Sequence, residues 1–115
     1  MTAPHDLESL PGGMLLERIQ PTLGRGERIP LVVSRNPMRV GRAEYNEIRL
    51  LTASASRRHA TIEFDGAGRW VIVPVEGRVL RVDGDEVTGA VVLEPGLNLV
   101  MGGDHLRCVE VEDPA

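Results

Sequence analysis

The sequence contains no lysine, a single cysteine, and one residue each of phenylalanine, tryptophan and tyrosine. Each scarcity excludes something. Cys108 has no second cysteine for an internal disulfide and no Cys-x-x-Cys neighbour to hold a metal, so a reducing compartment is expected, with neither metal nor cofactor indicated. With so few aromatics, the core of a single 115-residue domain must be built mainly from Val, Leu and Ile, whose branched members favour strands. No window approaches the roughly 18 apolar residues of a membrane span, and no basic region precedes an apolar run at the N-terminus. A cytoplasmic protein with no membrane partner is therefore expected. Sustained 3.6-residue periodicity is missing as well, so little or no helix is predicted.

What is present is a succession of short apolar runs separated by turn residues. After a polar tail at residues 1–13, strands are expected at residues 14–19, 28–34, 38–41, 47–51, 59–65, 69–75 and 78–82, around 86–87, and at 90–93, 97–101 and 105–111. The alternation of Ala60, Ile62 and Phe64 with Thr61, Glu63 and Asp65 is the period of a half-buried strand. Asp65-Gly66-Ala67-Gly68 then makes a hairpin, and Trp70, Ile72 and Pro74 share one face of the returning strand. The spacing of the turns is that of a β-sandwich or barrel. One domain is expected over residues 14–112, followed by a short tail at 113–115, and Cys108 reads as a small core residue in the last strand.

Charge is distributed unevenly. Residues 1–34 carry three Arg against four acids, residues 35–58 six Arg against two, and residues 59–115 four Arg against eleven, giving −1, +4 and −7 for a net charge of −4. Arg presents a planar fork suited to phosphate or carboxylate. The positive block contains Gly41-Arg42 at a strand end, Asn46-Glu47-Ile48, and the run Ser56-Arg57-Arg58-His59 entering the next strand. Two donor-rich loops thus flank one strand, an arrangement that fits an anion. A nucleic acid would require a broad basic face, and only one compact cluster exists, so nucleic-acid binding is not expected. Ser56 and His59 also have the residue types of a nucleophile and base, but no acid partner, oxyanion hole or Gly-x-Ser-x-Gly motif accompanies them, so no catalytic residue is assigned.

Gly41-Arg42, Asn46-Glu47-Ile48, Ser56-Arg57-Arg58-His59-Ala60-Thr61-Ile62, the strand opening on Trp70, Val82-Asp83-Gly84 and Leu93-Glu94-Pro95-Gly96 together resemble the forkhead-associated (FHA) domain over roughly residues 28–112. The resemblance implies an all-β sandwich of about eleven short, mainly antiparallel strands whose loops at one end recognise phosphothreonine. By the same resemblance Arg42, Ser56 and Arg57 are the phosphate ligands, while Gly41 and His59 support the binding loops. Asn46 reads as a turn residue bonded to nearby backbone, and Arg58 as a solvated strand-edge residue.

The chain departs from the family at the loop after the tryptophan strand. Where typical members carry Asn-Gly-Thr after a Ser-x pair, this chain has Glu76-Gly77-Arg78-Val79-Leu80, so Arg78 stands at the Asn position. An amide that both donates and accepts has become a cation that only donates. Arg78 is thus either a further charge for the phosphate or the end of peptide-backbone recognition. Two functions follow: a phosphothreonine-dependent signalling adaptor whose partner is a Ser/Thr kinase or its substrate, or a degenerate scaffold that binds proteins or itself without phosphate. Thr2 and Thr22, before or at the edge of the fold, are candidate phosphorylation sites that would dock in this domain or a neighbour's.

Overall fold

The computed structural model describes residues 13–111. The expected tails therefore lie outside the described residues except for Gly13, as does Thr2. Eleven strands form two sheets: β1 (Met14–Gln20), β2 (Arg28–Pro30), β3 (Met38–Gly41), β4 (Ile48–Arg49), β5 (Ala60–Phe64), β6 (Trp70–Pro74), β7 (Leu80–Val82), β8 (Asp85–Val87), β9 (Val91–Val92), β10 (Asn98–Met101) and β11 (Asp104–Glu110). One sheet has the order β2-β1-β11-β10-β7-β8 and the other β4-β3-β5-β6-β9. The resulting sandwich is mainly antiparallel, with β3 and β4 paired in parallel.

Alternation places the core between the sheets. Met14 and Leu16 of β1, Ile62 of β5, Trp70, Ile72 and Pro74 of β6, and Leu106 and Cys108 of β11 all face inward. Burial pushes the Cys108 thiol up to about 12, with the Asp83 charge adding to the effect. It is the core residue that the sequence indicates.

The expected strand over residues 28–34 is a correction. The ladder with β1 stops at the Leu15↔Pro30 pair, and Val33–Arg35 forms a single 3-10 turn. Pro30 has no N–H to continue the ladder, and Val32 and Val33 are exposed, so no core contact holds the segment on the sheet; Val32 keeps an extended backbone outside the ladder and Val33 begins the turn. Leu31 alone turns inward, with its N–H bonded to the Met14 carbonyl at 2.9 Å.

Two charged side chains are buried with the apolar core. Arg18 is 1% exposed and Asp104 is fully buried, and their Nη1 and Oδ2 atoms lie 2.6 Å apart. They occupy inward positions that the flanking apolar residues of β1 and β11 define. Asp104 also accepts from the N–H groups of Leu51 and Thr52, both at 2.9 Å, and from the Thr52 hydroxyl at 2.6 Å. Arg18 donates to the Arg49 carbonyl at 2.7 Å and to Glu27 at 2.9 Å. The carboxylate thereby bolts the chain that follows β4, in one sheet, onto β1 and β11 in the other.

Candidate functional site

Three loops converge at one end of the sandwich: residues 42–47 after β3, 50–59 after β4, and 75–79 after β6. The first two are joined like a short ladder. The Arg42 N–H donates to the Ser56 carbonyl at 2.9 Å and the Ala43 N–H to the Arg57 carbonyl at 3.2 Å. Arg42 Nε donates to the Ala55 carbonyl at 3.1 Å, which fixes the root of the guanidinium and leaves its outer amines toward solvent. Gly41 allows this approach, since a Cβ there would stand 2.1 Å from the Arg57 carbonyl oxygen.

Asn46 is buried beneath the same junction. Its amide donates to the carbonyls of Ala43 at 2.8 Å and Arg57 at 2.9 Å, which closes the turn as an Asx residue does. Its own Oδ1 is buried without a partner among the described residues.

His59 ties the second loop to the third. Its Nδ1 accepts from the Ser56 N–H at 3.1 Å, so the ring proton sits on Nε2, 2.7 Å from the Val79 carbonyl that receives it. Main-chain bonds fix the ring's position on both sides, from the His59 N–H to Val40 at 2.8 Å and from the Val75 N–H to the His59 carbonyl at 2.9 Å. The imidazole is 4% exposed and spans the two loops as a spacer. With both ring nitrogens engaged by backbone, it has no lone pair directed at the Ser56 hydroxyl.

Between the second and third loops lies an open cleft of about 360 Å³, lined among others by Ser54, Ser56, His59, Arg78, Arg81 and Gly102. Of the residues singled out in the sequence, the cleft brings together Ser56, His59 and Arg78. Arg42 and Arg57 are exposed beside it, held to Ser56 through the chain, but do not line it. Arg58 is exposed, as a solvated residue should be, and Thr22 is exposed in the β1–β2 turn.

Sequence reasoning missed Ser54, Arg81 and the Asp104 bolt. Arg81 could have been found from alternation, because it follows the inward Leu80 on a strand entering the site. Asp104 could have been found as a charge in phase with inward Leu106 and Cys108 of β11, as Arg18 is in phase with Met14 and Leu16 of β1. The floor of the loop also depends on the turn between β10 and β11. Gly102 packs so closely that a Cβ would lie 2.5 Å from the Ala55 nitrogen, and the Gly103 N–H donates to the Thr52 hydroxyl at 3.0 Å.

Comparison with known proteins gives one family. A model of the FHA domain matches residues 38–102. No curated protein sequence matches the chain. Among solved structures, the solution structure of the FHA domain of an Arabidopsis thaliana hypothetical protein is similar with a TM-score of 0.78 and 23% identity, over 93% of this chain and 94% of that one. The FHA domain of the CT664 protein from Chlamydia trachomatis gives 0.76 and 20% over 87% and 99%. EmbR of Mycobacterium tuberculosis, solved in complex with a low-affinity phosphopeptide, gives 0.75 and 22% over 98% of this chain and 29% of its own. These likenesses establish the fold.

Proposed function

The chain belongs to the FHA domain family, and on that premise we propose that it is a phosphothreonine-dependent protein-binding module in which Arg42, Ser56 and Arg57 hold the phosphate. The observation that carries this reading is the short ladder from Arg42 and Ala43 to Ser56 and Arg57. It sets two guanidinium groups and a hydroxyl on adjoining segments of one braced edge. A phosphothreonine brings about −1.5 to −2 charges and three acceptor oxygens at neutral pH. Arg supplies forked, always charged donors to such a group, and the hydroxyl adds a neutral one. The brace matters because donors held in place lose little freedom on binding.

Gly41, Asn46 and His59 act in support: Gly41 leaves room for the Arg57 carbonyl, Asn46 donates to the Ala43 and Arg57 carbonyls, and His59 ties the Ser56 N–H to the Val79 carbonyl. The partner is a phosphorylated protein, a Ser/Thr kinase or its substrate. A net charge of −4 with one compact basic cluster does not suit nucleic acid. No helix among the described residues is long and apolar enough to cross a membrane.

The test is calorimetry with a library of phosphothreonine peptides and their unphosphorylated counterparts. Binding should require the phosphate. Arg42→Ala should weaken it at least tenfold, since a charge-assisted contact contributes about 1.5–3 kcal/mol. Equal binding of phosphorylated and unphosphorylated peptides would favour the second reading, a phosphate-independent scaffold or self-associating domain. The observation behind that reading is Arg78, a donor-only cation at the position of the family's loop Asn.

A further inference from the structure

We infer that the ligand carries a second anionic group beside its phosphothreonine, and that Arg78 and Arg81, with the Ser54 hydroxyl, receive it. The inference rests on the phosphothreonine reading and names what else that ligand must contain.

The basic side chains around Ser56 fall into two pairs. Arg42 and Arg57 lie on the segments joined by the main-chain ladder and do not line the cleft, whereas Arg78 and Arg81 line it. Ser56 is common to both. A phosphate held by Arg42, Ser56 and Arg57 has its oxygens engaged, which leaves the second pair of cations for another group.

The cleft is built for such a group. Its lining includes two hydroxyls, two guanidinium groups and no carboxylate, in a chain of net charge −4. The cleft, at about 360 Å³, has room for more than the five heavy atoms of a single phosphate. Both cations stand on anchored backbone. The Arg78 N–H closes a turn on the Val75 carbonyl at 2.9 Å, His59 grips the Val79 carbonyl at 2.7 Å, and Arg81 pairs with Val100 in the β7–β10 ladder.

One acid competes for the pair. Glu86 approaches Arg81 at 3.4 Å across β7 and β8, but the two side chains are 52% and 59% exposed. A long ion pair in water contributes little, so an incoming anion that two arginines share displaces it. A carboxylate side chain and a second phosphate on the same peptide share the required chemistry.

Fluorescence anisotropy separates the possibilities. Four peptide sets are compared: a phosphothreonine peptide with neutral flanks, the same peptide with Asp or Glu walked through each flanking position, the same with a second phosphorylated residue, and the acidic peptides without phosphate. Each set is titrated into the wild type, Arg42→Ala, Arg81→Gln and the double variant Arg78→Gln/Arg81→Gln, whose altered side chains are solvent-exposed and whose folding is checked by thermal denaturation.

The second anion should improve binding about tenfold at one or two positions. Arg81→Gln should cut that gain while keeping the neutral-flank peptide within twofold of wild type, and the double variant should erase the gain. A larger gain from phosphate than from Asp or Glu identifies a doubly phosphorylated partner, and the reverse identifies an acidic motif; both support the subsite. Equal affinity of acidic and neutral peptides, or a gain that survives the double variant, overturns it while leaving the phosphothreonine reading intact. Binding of unphosphorylated acidic peptides through Arg81 but not Arg42 would instead sink the phosphothreonine reading, and no binding by any peptide overturns both.

Discussion

A methyl group at position 41 would stand 2.1 Å from the carbonyl oxygen of Arg57, and that oxygen already accepts from both Ala43 and Asn46. Gly41→Ala must therefore push the Ser56–Arg57 segment off its ladder. We expect a loss of about 1–3 kcal/mol in urea denaturation, the usual size of an overpacking penalty, with phosphopeptide binding falling further than stability alone explains. His59→Ala acts through the opposite defect. It strands the Ser56 N–H and the Val79 carbonyl, and leaving a buried polar group unsatisfied costs about 1–3 kcal/mol. Because those groups belong to the two loops facing each other across the cleft, affinity should drop tenfold or more even at temperatures where the variant is folded. Unchanged affinity in calorimetry would remove His59 from the supporting set.

At the scale of elements, the site depends on how one sheet's loop is fastened to the other sheet. Leu51 and Thr52 hang from Asp104 at the start of β11, and Asp104 is held in turn by Arg18 of β1. Replacing one member of a buried pair leaves the other charge uncompensated, a cost of about 3–5 kcal/mol. Asp104→Asn should show that loss in chemical denaturation. The double variant Arg18→Met/Asp104→Leu should recover much of it, because two apolar residues leave no stranded charge. It should still bind phosphopeptide less tightly than the wild type, since the N–H groups of Leu51 and Thr52 have lost their acceptor. A double variant as unstable as the single one would argue that the loop bonds, and not the ion pair, dominate.

Over the whole molecule, acid acts in two stages. His105 lies in β11, where burial and then the Arg107 charge lower its pKa from 6.5, so the neutral ring is favoured in the fold. Its contribution is fully present above that value and fades as pH falls below it. Glu47 accepts from the Arg39 guanidinium and N–H, which holds its carboxyl down to about 2 from an ordinary 4.5. That contribution is intact above about pH 4.5 and is lost toward pH 2. Urea midpoints measured against pH should therefore begin to decline below pH 6.5 and fall more steeply below 4.5, and Glu47→Gln should flatten the lower stage. What the sequence determined alone is what repeats locally. Period-two alternation placed Ile62, Trp70 and Ile72 in the core, residue type did the same for Cys108, and turn residues marked most strand ends, because each depends on near neighbours in the chain. The motif around Gly41-Arg42 and Ser56-Arg57 was legible through its resemblance to the FHA family. Residues 28–34 failed as one strand because exposed Val32 and Val33 have no core contact to hold them on the sheet, so the ladder ends at Pro30 and the chain turns at Val33. The tertiary structure alone decided that His59 spans to Val79, that Arg81 lines one cleft with Ser54 and Ser56, and that Arg18 and Asp104 meet in the interior. Those pairings join residues distant in sequence through sheet register and hydrogen bonds between loops, and no local period encodes them.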